Sequence, residues 1–174
     1  MKKTSKMVYL ALLVAQALVL HIFESMIPVP FITPGAKLGL SNLVTVIALY
    51  TLEDYKEVFI VVLLRIILAT MFGGNLSSFM YSVGGGLLSF GAMVLTKELF
   101  KDKVSIIGVS SSGAVFHNIG QLLVASAIVR NLGVTLYLPI LSIAGIGTGI
   151  FIGVSANYLT KHISKIPYFK KIKQ

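Results

Sequence analysis

The sequence predicts an all-α integral membrane protein, a single-domain bundle of six transmembrane helices with the N- and C-termini both cytoplasmic. Three observations predict it. Hydrophobic residues make up 56% of the 174 residues and charged residues only 12%, a composition of membrane proteins and not of soluble globules. The apolar residues fall into six runs divided by Pro, Gly, Asn and Lys. The 15 Lys and Arg outnumber the 6 Asp and Glu, and nearly all of them fall in alternate loops.

The first run, about 7–27, follows the basic Met1-Lys2-Lys3-Thr4-Ser5-Lys6. Its only small-x-small site, Ala15-Gln16-Ala17, lies inside the apolar stretch, which continues through Ile22 and Phe23; this predicts an uncleaved span and not a signal peptide. Pro28, Pro30, Pro34 and Gly35 then break the helix and form an external loop. The second span, about 37–52, is short, and the third covers about 56–71. Gly73-Gly74-Asn75 turns the chain into the fourth, about 76–95, where Ser78, Ser82 and Gly86 form a small-residue seam. After a polar connection at 97–103 comes the fifth, about 104–129. Asn131-Leu132-Gly133 leads into the sixth, about 137–158, where Gly145, Gly149 and Gly153 form a ridge that lets a neighbouring helix approach closely.

With the N-terminus inside, Lys2, Lys3, Lys6, Lys56, Lys97, Lys101, Lys103, Lys161, Lys165, Lys170, Lys171 and Lys173 are cytoplasmic, and only Lys37 and Arg130 lie outside. That asymmetry calls for an even number of spans. Residues 161–174 mix lysines with Ile163, Ile166, Tyr168, Phe169 and Ile172, the pattern of a basic interfacial tail on the inner leaflet of the bilayer.

The densest polar cluster inside an apolar run is His117-Asn118-Ile119-Gly120-Gln121. His117 and Gln121 are one helical turn apart, with Asn118 beside them. Such groups cannot face hydrocarbon, so they either tie helices together or line a ligand site. Arg65 stands roughly 13 Å along the third span, at 1.5 Å per residue from Lys56. Its guanidinium keeps its proton and needs an acid, carbonyls, water or an anionic ligand. Glu24 is one candidate partner; an anion is the other. His21, Glu24 and Lys37 border the proline-rich loop, either as interfacial residues or, for Lys37, as a group presented to a ligand in an outward cavity. Asn42 and Asn75 are further substrate-binding candidates, although Asn75, after two glycines, also reads as a turn residue.

Several function classes are poorly supplied. The lack of Cys removes thiol chemistry and thiolate metal sites. His21, His117 and His162 fall at different depths, so no metal centre is expected, and no cofactor site is read. The carboxylates of Glu53-Asp54-Tyr55-Lys56-Glu57 suit a helix start, and the paired aspartate-rich motifs that hold magnesium against a diphosphate are missing, so no catalytic residues are assigned. There is no Gly-x-x-x-x-Gly-Lys-Ser/Thr run, and ATP-driven transport would need a separate subunit. Basic residues flank apolar runs and are not interleaved with aromatics, which disfavours nucleic acid.

Four stretches carry a family resemblance: Ala11-Leu12-Leu13-Val14-Ala15, Pro34-Gly35-Ala36-Lys37-Leu38-Gly39-Leu40-Ser41-Asn42, the glycine seam between Tyr81 and Phe90, and Gly113 to Gln121. With them nearly the whole chain resembles S-components of energy-coupling-factor transporters, in the branch called Gx transporter or heptaprenyl diphosphate synthase component I. The resemblance implies a six-helix bundle that captures a small vitamin-type metabolite beneath the loop between the first two helices. It also implies docking by Ala11 and Ala15 onto a transmembrane coupling subunit served by ATPase subunits. Lys37, Arg65, His117, Asn118 and Gln121 would form the ligand shell. Two other roles are implied by the same likeness: an accessory protein of flavin- or quinone-linked extracellular electron transfer, and a noncatalytic subunit in prenyl diphosphate synthesis.

Overall fold

A computed structural model describes residues 3–26, 39–72 and 75–165; among these every regular element is helical. The long helices are α1 (Lys3–Met26), α2 (Asn42–Thr51), α3 (Tyr55–Met71), α4 (Leu76–Phe100), α5 (Ile106–Val129) and α6 (Leu138–Ile163). Short 3₁₀ turns at Lys101–Lys103 and Leu132–Tyr137 lead into α5 and α6. The caps are local chemistry. Asp54 accepts from the Lys56 N–H, Asn75 from Ser78 and Ser105 from Gly108, so each entering helix has one of its orphan donors satisfied.

Successive helices run in alternating directions, as side-chain links at one end of the bundle show. Tyr9 near the start of α1 donates to Thr51 at the end of α2, and Lys6 pairs with Glu57 in the first turn of α3. Tyr55 at the start of α3 donates to Glu98 near the end of α4, and Lys97 reaches the Leu49 carbonyl of α2. The start of α5 and Asn157 of α6 border a cleft with these same residues. Lys6, Lys56, Lys97, Lys101, Lys103, Lys161 and Lys165 therefore belong to this end, whereas Arg130, the left-handed C-cap of α5, belongs to the other.

Among the described residues, four stretches are long and apolar enough to cross a membrane: Thr4–Met26, Leu76–Lys103, Ile106–Val129 and Leu132–Ile163. The two remaining helices are shorter. α3 has 17 residues and α2 only 10, or about 15 Å against a hydrocarbon core of about 30 Å. Among the described residues α2 begins at Asn42, and Gly39, with a positive φ of 86°, stands in the turn before it. α2 is buried on nearly every side, and Val44, Val46, Ile47, Ala48 and Leu49 are all buried. It contacts each of the other five helices, and the core forms around it from Leu13, Val14 and Ala17 of α1, Val58 and Val61 of α3, Met93 of α4, Val109 of α5 and Ile152 of α6.

Helices α4, α5 and α6 form the most extensive contacts, and glycines set their spacing. A Cβ on Gly149 or Gly153 would stand 2.5 or 2.6 Å from the backbone of Ser111 or Ile107, so the α6 ridge lies directly on α5. The α4–α5 crossing is as tight, but through Gly84 and Gly120 and not through the Ser78, Ser82, Gly86 register. A Cβ on Gly120 would be 2.3 Å from the Gly84 carbonyl oxygen. Gly120→Ala is expected to destabilise the bundle by about 1–3 kcal/mol, the cost of overpacking. Gly147→Ala, where nothing lies within 4 Å, is expected to be neutral or to gain about 0.5–1 kcal/mol. Circular-dichroism melts of both variants in one detergent measure this, and coincident curves would mean that Gly120 does not set the crossing.

Candidate functional site

Away from the lysine-rich end, the start of α2 meets the end of α1 and the interiors of α3, α4 and α5, and a polar cavity opens at their junction. Its lining is His21 and Glu24 of α1, Ser41, Arg65 of α3, Tyr81 and Ser82 of α4, and His117 and Gln121 of α5. The cavity measures about 10 Å³, room for one water molecule.

Each lining group has a local reason to be there. His21 and Glu24, three apart, share a face of α1. The Glu24 carboxylate is 1% exposed and accepts from the Gly39 N–H, tying the end of α1 to the turn that opens α2 and placing a negative charge at the positive end of that helix. Ser41 stands at the N-cap of α2, yet its side chain does not cap; its Oγ accepts from Nη1 of Arg65. The guanidinium is 3% exposed, its Nε has no hydrogen-bond partner, and it fits because Gly86 opposite has no side chain: a Cβ there would be 3.1 Å from Nη2. Arg65 and Glu24 line the same cavity, so the charge that cannot be neutralised faces a carboxylate across it.

His117 and Gln121 form the opposite wall. Nε2 of the ring lies 2.8 Å from the Gln121 amide nitrogen. With that amide as donor, Nε2 accepts and the ring proton sits on Nδ1, beside Gly85. Glycines again give the room, since a Cβ on Gly85 would be 2.8 Å from Nδ1 and one on Gly39 3.0 Å from Cδ2.

Of the residues singled out from the sequence, Arg65, His117 and Gln121 converge on this cavity. Asn42 is buried just beyond them, its Nδ2 without a hydrogen-bond partner and close to the Cβ position of Gly39. Asn118 turns away: its Nδ2 donates to the Leu141 carbonyl at 2.7 Å, which ties α5 to α6, so the shared sector expected for all three polar residues of this turn holds for two. Asn75 is exposed and spends its side chain on the α4 cap. Lys37 and the proline-rich loop lie outside the described residues. Ala11 and Ala15 are exposed on the outer face of α1, with Gln16 beside them. Ser41, Tyr81 and Ser82 were not singled out as ligands. Ser41 adjoins Asn42 in a polar turn, but Tyr81 reads from sequence as one more aromatic of an apolar span.

A family model described as heptaprenyl diphosphate synthase component I matches residues 13–159, which include every described residue that lines the cavity. The chain belongs to this family. No curated protein and no solved structure matches it. The cavity-lining groups are spread over the matched stretch from His21 to Gln121.

The pairing across the cavity makes a stability prediction. Arg65→Met alone is expected to cost about 3–5 kcal/mol, because it leaves the Glu24 carboxylate buried without its compensating charge. Adding Glu24→Gln should recover part of that loss, with a coupling of about 0.5–3 kcal/mol. Denaturation of the single and double variants closes the cycle, and strictly additive costs would mean that the two groups do not interact.

Proposed function

We propose that this chain is a substrate-binding membrane protein of the S-component type, which takes up a small vitamin-like metabolite with separate coupling and ATPase subunits. The observation that carries the reading is the convergence of Arg65, His117 and Gln121, from two helices distant in sequence, on one buried cavity. Pairing between helices needs fewer polar groups than the eight that line it. A guanidinium beside a serine hydroxyl suits a carboxylate, phosphate or carbonyl, and an imidazole with a carboxamide suits ring heteroatoms or hydroxyls. The lysine-rich end faces the cytoplasm in this reading, all six helices lie in the membrane, and the cavity belongs to the outer half.

The outer face of α1 supports the partner half of the proposal. Ala11 and Ala15 present a small-residue surface on which a neighbouring helix can pack closely, and Gln16 offers it a hydrogen bond. Replacing both alanines by Leu is expected to abolish co-purification with a coupling subunit while ligand retention stays unchanged. Undiminished recovery of the subunit would rule this face out.

The family's name favours a second reading, in which the chain is a noncatalytic component of a heptaprenyl diphosphate synthase and the cavity groups pair only with one another. Mass spectrometry of small molecules released from the purified protein separates the two. Uptake predicts a bound metabolite in the wild type, reduced at least about tenfold in His117→Ala and Gln121→Leu, roughly the effect of one lost hydrogen bond to the ligand. The synthase reading predicts no metabolite, and prenyl transfer by a catalytic component that rises when this chain is added.

A further inference from the structure

A second polar site lies at the other end of the bundle, where a cleft of about 630 Å³ opens between the end of α2, the α4–α5 junction and α6. Its charged lining is Lys97, Glu98, Lys101 and Asp102, with Tyr50 and Asn157 completing the walls. Two of these groups are held in place. The ammonium of Lys97, half-buried, donates to the Leu49 carbonyl at 2.8 Å and stands 4.8 Å from the Tyr50 ring centre and 5.3 Å from that of Tyr55. That carbonyl is at the negative end of α2, where a cation is favoured. The Glu98 carboxylate accepts from the Tyr55 hydroxyl. A fixed cation and a fixed anion therefore sit side by side, and exposed Lys101 and Asp102 repeat the same pair of signs at the rim.

Two cations and two carboxylates leave the lining neutral, so the cleft does not favour a simple anion. It fits a ligand that carries charges of both signs a few bonds apart, one of them able to use several N–H donors. The surroundings narrow the class further. Leu95, Leu99 and Phe100 of α4 and Tyr158 of α6, each within two residues of a lining residue, are 59%, 67%, 55% and 74% exposed. Beside a polar cleft at the end of apolar helices, such side chains offer acyl chains a surface while a headgroup stays in the interface.

We propose that this cleft binds the phosphoethanolamine headgroup of a phospholipid, its phosphate between Lys97 and Lys101 and its ammonium between Glu98 and Asp102. The site is independent of the uptake reading, since no residue of the cleft lines the inner cavity.

The test uses the full chain incubated with an equimolar mixture of phosphatidylethanolamine, phosphatidylglycerol and phosphatidylcholine, with retained lipid counted by native mass spectrometry. The wild type is expected to retain phosphatidylethanolamine over both others by roughly tenfold, the factor that follows from one charge-assisted hydrogen bond of about 1.4 kcal/mol. Lys101→Gln and Asp102→Asn, both at exposed positions, should lose that preference with unchanged melting temperatures. Lys97→Gln should lose it too. The Lys161→Gln, Lys165→Gln double variant, which removes charge at the same end but outside the cleft, should keep it. Preferential retention of phosphatidylglycerol, equal loss in the Lys161/Lys165 variant, or no retained lipid on folded protein would each overturn the proposal. In a second arm, soluble O-phosphoethanolamine should fail to displace the lipid at equal concentration; displacement would assign the site to a free phosphate ester and overturn the lipid.

Discussion

A guanidinium buried among apolar helices cannot lose its charge, and much of the architecture follows from what Arg65 then requires. It must be given an acceptor, a counter-charge and space. The acceptor is Ser41, withdrawn from its ordinary task as a helix cap; the counter-charge is Glu24 across the cavity; the space is the absent side chain of Gly86. Each of these comes from a different segment, so satisfying one side chain fixes α1, α2, α3 and α4 relative to one another. Glu24 extends the network by taking the Gly39 N–H, and Gly39 in turn lies against His117 of α5.

The brevity of α2 makes room for this arrangement. A helix of 10 residues cannot reach both faces of a membrane, yet every other helix packs on it, so it fills the centre of only one half of the bundle. Beyond its first residue the centre must be filled by something else, and polar side chains from the surrounding helices fill it. Between α5 and α6, by contrast, glycine contacts bring the backbones together.

Hydropathy made the helices legible, because the six apolar runs are separated by residues that cap or break helices whatever the context. The α6 glycine ridge was legible for the same reason: four-residue spacing in an apolar helix has one economical use, and Gly145, Gly149 and Gly153 all face α5. The start of α2 was not. The sequence around Gly39 gives no clear start for the helix, and the positive φ of Gly39, a property of the folded turn, sets it off from α2. Within the site, His117 and Gln121 were legible from their spacing on one face. Asn118 takes the other of the two roles open to it, tying α5 to α6, because adjacency in sequence turns a side chain about 100° round a helix. Tyr81 carries no sequence signal of its own, and the polar turn that holds Ser41 does not reveal its partner, since both roles depend on which helices become neighbours.

The size of the inner cavity bears on what uptake would demand. Room for one water is far below the roughly 300 Å³ or more that enclose a small-molecule ligand, so binding a metabolite requires the lining helices to part. They are not equally free to do so. α4 cannot slide on α5 without breaking the Gly84–Gly120 contact, nor α5 on α6 without breaking the ridge contacts. The end of α1 is held at the site through Glu24, whose carboxylate accepts from the Gly39 N–H of the turn before α2. A ligand anion that engaged Arg65 would compete with Glu24 for the same positive charge and weaken the reason for that carboxylate to stay buried. On the uptake reading proposed above, ligand entry and release of the contact between Glu24 and Gly39 would therefore be coupled by charge, because Arg65 would serve both the ligand and that carboxylate.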